Sequence, residues 1–156
     1  MLAAASARAE PDPGVAVVVG TATMLLGFAV GATVAATANG SNVPTNTGWL
    51  IMESGFVLAP FAAHATQGEW IRGLAFSALP AAAMGGTLGL FDYSPGTVLH
   101  GTLVQQRILW GLFGTGLVSS VIGVVDVTLA RPHAGTIALA PVVAPGQVGV
   151  ELGGAL

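Results

Sequence analysis

From Val15 to Ala38 the chain runs for 24 residues without a charged side chain. A helix of that length rises about 36 Å, against about 30 Å for the hydrocarbon of a bilayer, so the run crosses lipid with some tilt. The pattern recurs. Two tryptophans, Trp49 and Trp70, bracket a second long apolar stretch, and residues 71–91 and 108–130 form a third and a fourth. A bilayer admits a chain only when every backbone amide is bonded internally, which leaves helices as the solution for segments of this length.

Composition agrees. Charged residues make up 7% of the 156 and hydrophobic ones 53%, with a mean hydropathy of +0.80, whereas soluble domains carry about 25% charged residues. The expected fold is therefore an all-α integral membrane protein: a four-transmembrane-helix bundle with spans at 15–38, 49–70, 71–91 and 108–130. Residues 1–14 form either a polar tail or a signal-derived one, since Ala7-Arg8-Ala9 has the small-x-small form of a cleavage site after a short apolar stretch. In residues 132–156, alternation with a period near two on either side of Ala144-Pro145-Gly146 predicts a short β-hairpin-like tail. Counting arginines, an inside amino terminus places Arg8, Arg72 and Arg131 inside and Arg107 outside.

Small residues indicate how the helices pack. Gly27 and Gly31, continued by Gly20 and Ala35, make one smooth stripe on the first helix, and Ala81, Gly85 and Gly89 repeat the four-residue spacing on the third. Such stripes let backbones approach closely.

Several function classes drop out. There is no lysine, the net charge is −3, and four arginines make no basic patch, so nucleic acid is not an expected partner. The absence of cysteine removes disulfides, thiolate nucleophiles and Cys-ligated metal. His64, His100 and His133 lack the i, i+4 spacing of a helical metal pair, and no phosphate loop or nucleophile elbow is present. No cofactor, no metal and no enzymatic activity are expected.

The remaining candidates are polar residues inside the spans, where each costs free energy. Glu53 and His64 are eleven residues apart, on nearly one face of the second helix and about 16 Å apart along its axis. Thr115, Ser119 and Asp126 share a face of the fourth. If those faces meet, Glu53, His64, Thr115, Ser119 and Asp126 line a polar seam for protons or cations. The competing reading is local: the hydroxyls bond back to their own helix, Asp126 pairs with Arg131, and Glu69 pairs with Arg72 at the interface. That reading makes the chain a structural or accessory subunit of a membrane assembly; the seam makes it a small transporter or channel. Expected partners are the lipid bilayer and other membrane subunits or a second copy, in a bacterial inner (plasma) membrane.

Overall fold

A computed structural model describes residues 12–38, 42–93, 101–129, 138–144 and 147–153. The cleavage-like Ala7-Arg8-Ala9, together with Arg131, His100 and His133, lies outside the described residues. Among the described residues four helices follow in chain order: α1, Pro13–Ala36; α2, Asn42–Thr66; α3, Trp70–Tyr93; and α4, Leu103–Asp126.

Local chemistry sets the helix ends. Asp12 caps α1 by accepting from the Gly14 amide at 2.7 Å, and Pro13 fills the first helical position, where its missing N–H costs nothing. Thr102 and Gln105 form a reciprocal capping box that starts α4. Between α2 and α3 the turn closes on Gly68, whose φ of 77° suits glycine, while the amides of Gln67 and Glu69 both donate to the His64 carbonyl at 3.0 Å.

The second helix starts earlier and ends earlier than its tryptophans imply. The turn formers before Trp49 are helical from Asn42, with the Thr47 hydroxyl folded back onto the Val43 carbonyl at 2.8 Å, and Trp70 opens α3. Trp49 is buried inside the bundle. Its indole meets Trp110 and Phe113 edge-on at 5.1 and 5.0 Å, and it packs with Met52 and Leu109. α1, α3 and α4 are long and apolar enough to cross a membrane. α2 is not one of these three, since its first turns are polar and it carries Glu53 and His64.

α2 touches all three other helices and forms the centre of the bundle. It runs antiparallel to α1 with almost no side chains between them. A β-carbon on Gly27 would lie 2.6 Å from the Cα of Gly55, one on Gly31 2.6 Å from the Met52 amide, and one on Gly48 2.6 Å from the Ala35 amide. Further along, Gly20 faces Ala63 and Val124. The stripe on α1 thus meets a matching stripe, Gly48 and Gly55, on α2.

Among the described residues the stripe on α3 meets no neighbour. Ala81 is exposed, and Gly85 and Gly89 face open space, with nothing within 4 Å of a β-carbon built on either. Gly73, Ser77, Pro80, Ala83 and Thr87 form the buried face of α3, and the expected stripe points away from it. Large apolar side chains also point outward on the three long apolar helices, including Ile71 at 85% exposure, Leu26 at 67% and Val18 at 66%. So continuous an exposed apolar surface suits lipid and not water.

Beyond α4, strands β1, Ala138–Ala144, and β2, Gln147–Gly153, pair antiparallel with Ala144 opposite Gln147.

Candidate functional site

The buried polar side chains of α2 occupy two separate stations. At the first, Glu53 is 2% exposed and its Oε1 accepts a hydrogen bond from the hydroxyl of Thr87, fully buried on α3, at 2.8 Å. Glu53 Oε2 has no hydrogen-bond partner among the described residues. Removing Thr87 would leave both oxygens unpartnered, so Thr87→Val is expected to cost about 1–3 kcal/mol in a detergent unfolding titration.

The second station lies three turns away, where α2 ends, α3 begins and α4 ends. His64 is fully buried and stacked on Phe76, with ring planes 2° apart and centroids at 5.4 Å. Its Nδ1 lies 3.0 Å from Glu69 Oε2, and its Nε2 lies 3.1 Å from the Gly123 carbonyl and 3.6 Å from Asp126 Oδ2. Arg72 completes the group: its Nε donates to Asp126 Oδ2 at 2.6 Å and stands 4.0 Å from Glu69. Glycines make this convergence possible. A β-carbon on Gly123 would press on Pro60 at 2.8 Å and Phe76 at 2.9 Å, and one on Gly73 would meet His64 at 3.1 Å. Between the stations, the Ser77 hydroxyl ties α3 to the Val57 carbonyl of α2 at 2.7 Å.

Of the five residues of the expected seam, the structure brings His64 and Asp126 together. Glu53 remains apart from them. Thr115 and Ser119 lie on the outer side of α4, where Thr115 donates to the Gly111 carbonyl at 2.8 Å and Ser119 to the Thr115 carbonyl at 2.6 Å. With Leu79, Trp110, Val118 and Ile122 they line a shallow surface groove. The inward hydroxyl of α4 is that of Ser120, one residue and therefore about 100° further round, close to Met24 of α1. Since the outer hydroxyls serve only their own helix, Thr115→Ala and Ser119→Ala should each change stability by less than about 0.5 kcal/mol.

The expected Glu69–Arg72 pair is present at 4.0 Å. Asp126 also pairs with Arg72, at 2.6 Å, while Arg131, its expected partner, lies outside the described residues. Thr87 and Ser77 had no signal of their own in an apolar run. The signal lies in the turn: folding the hairpin about Trp70 places Glu53 and Thr87 at mirror positions seventeen residues either side, and His64 and Phe76 at six.

Helices long and apolar enough to cross lipid, with apolar side chains outside and polar ones turned inward, define an α-helical membrane protein. Compared with family models, curated proteins and solved structures, the chain matches none.

Proposed function

We propose that the chain is a structural or accessory subunit of a membrane assembly, with all four helices crossing a bacterial inner membrane and the β-paired tail lying outside the lipid. The observation that carries this reading is how the buried polar groups are used. Glu53 bonds Thr87, Ser77 bonds the α2 backbone, and His64, Glu69, Arg72 and Asp126 bind one another, so each fastens one helix to the next. In this reading α2 crosses with its polar face covered by α1, α3 and α4, and the close fit of Gly27 and Gly31 against α2 is a small-xxx-small contact. The outward apolar faces meet lipid, other membrane subunits or a second copy, and no catalytic step is assigned.

One observation favours the alternative of a small transporter or channel: an oxygen of Glu53 without a partner among the described residues, buried in the bundle and on the same helix as His64. Against it, Glu53 and His64 are separated by about 16 Å of helix rise, and the side chain nearest Glu53 by hydrogen bond is Thr87. Proton flux into vesicles containing Glu53→Gln decides between them. Flux equal to that of the native chain is expected; a loss specific to the variant would move the assignment to transport. Purification in mild detergent, with identification of the proteins that travel with it, names the assembly.

A further inference from the structure

The groove on the outer side of α4 is built from a gap in side chains. A β-carbon on Gly111 or Gly114 would meet nothing within 4 Å among the described residues, and Trp110, Val118 and Ile122, with Leu79 of α3, stand around the resulting space of about 470 Å³. The Trp110 indole is 56% exposed and is held by its edge-on contact with Trp49 at 5.1 Å, so this wall is fixed by the fold. The hydroxyls of Thr115 and Ser119 are spent on carbonyls of their own helix, which leaves hydrocarbon as the lining. From Trp110 to Ile122 the helix rises about 18 Å, close to the about 15 Å of hydrocarbon in one leaflet. One turn before the groove and on the same face stands Arg107, three residues from Trp110 and four from Gly111. It is exposed, and among the described residues it takes part in no ion pair or hydrogen bond, even with Asp92, the exposed acid at the same end of the bundle. We propose that this face binds a phospholipid of net negative charge, with its phosphate on Arg107 and one acyl chain lying along the groove past Trp110.

The chemistry of the face selects this occupant. A guanidinium presents a planar fork of donors that matches phosphate, its aliphatic stem lies on apolar surface, and an indole beside it suits the headgroup level. The apolar groove then takes the part of the lipid that a phosphate site alone would leave without a partner. A second copy fits less well, because the two-fold axis of a membrane dimer runs along the bilayer normal and closing this face on itself sets Arg107 against Arg107. Like charges would meet at one depth. Arg72 lies at the far end of the bundle, where α3 begins, and is paired with Asp126, so the charge offered at this end is that of Arg107. The site rests on the reading that α4 crosses a bilayer, and it stands whether the chain is an accessory subunit or a transporter.

Trp110 reports on the groove directly. The full chain carrying Trp70→Phe, which leaves the buried Trp49 and the exposed Trp110 as its indoles, is reconstituted in vesicles of phosphatidylcholine and phosphatidylglycerol with bromine on the acyl chains of one lipid at a time. Brominated phosphatidylglycerol is expected to quench the fluorescence with about a fivefold preference over brominated phosphatidylcholine, the worth of one arginine near an anionic lipid surface. Arg107→Gln should reduce that preference to none. Gly114→Leu, whose side chain occupies the open groove, should lower quenching by the anionic lipid to the level of the zwitterionic one while Arg107 is still present. Equal quenching of the native face by both lipids overturns the site, as does a preference that survives Arg107→Gln. Quenching that falls as the protein-to-lipid ratio rises also overturns it, by placing a second copy on this face. A chain that does not enter vesicles at all refutes the membrane crossing itself, whereas equal quenching in a chain that does enter refutes the lipid site alone.

Discussion

Alanine at Gly27 or Gly31 is expected to lower stability by about 1–3 kcal/mol, and at both together to separate α1 from α2. The added methyl group meets backbone on both sides: the Cα and amide of Gly55 at 2.6 and 3.0 Å for Gly27, and the amide of Met52 at 2.6 Å for Gly31. A flexible side chain rotates away from such a clash; backbone in a packed helix does not, so the helices themselves must move. Gly85→Ala and Gly89→Ala are the matched controls. They have the same chemistry and the same four-residue spacing, and meet nothing among the described residues, so they should be neutral or slightly stabilising through helix propensity. Reversible unfolding in mixed micelles reads both sets. Equal effects at all four positions would contradict the assignment of packed and open faces.

His64→Ala is expected to cost about 2–4 kcal/mol, combining the cavity left by a fully buried ring with the loss of its polar partners. The stack on Phe76 disappears, the Gly123 carbonyl loses its donor, and Glu69 keeps Arg72 only at 4.0 Å. Arg72→Ala should cost much less. Its side chain is 36% exposed, and partly wet ion pairs are worth about 0–1 kcal/mol. A double-mutant cycle of His64→Ala with Asp126→Ala measures how far the cluster acts as a unit; a coupling near zero would show that His64 matters only as filling.

Much of this architecture is legible in the residues. Uncharged runs set the existence and order of the helices, because the cost of burying a charge in lipid leaves so few ways to arrange a chain. The glycine stripe on α1 is legible too, since spacing alone places Gly20, Gly27 and Gly31 on one side. The stripe on α3 misleads for a physical reason. Small residues at four-residue intervals mark a smooth face, and smoothness does not say whether a neighbour lies against it. Ser77 and Thr87, not Gly85 and Gly89, mark the face that is covered. The tryptophan brackets mislead as helix bounds: α2 starts a turn and more before Trp49, and the Trp49 indole serves as core with Trp110 and Phe113 against it. For the polar groups, a common face on α2 is readable, but the partners depend on where the α2–α3 turn closes. Placing Gly68 at the positive-φ position fixes that register, and Thr87 and Phe76 follow from it.

In the proposed arrangement α2, with Glu53 and His64 buried, crosses the membrane among the three apolar helices. The native chain has no cysteine, so single cysteines report position without interference. Thr37 and Thr66, exposed threonines at the two ends of the α1–α2 connection and of α2, bond only their own helix carbonyls. Labelling of Thr37→Cys and Thr66→Cys with a membrane-impermeant maleimide, in intact cells and in inverted vesicles, is the direct measurement. If α2 crosses, the two sites label from opposite sides; labelling of both from the same side would rule the crossing out.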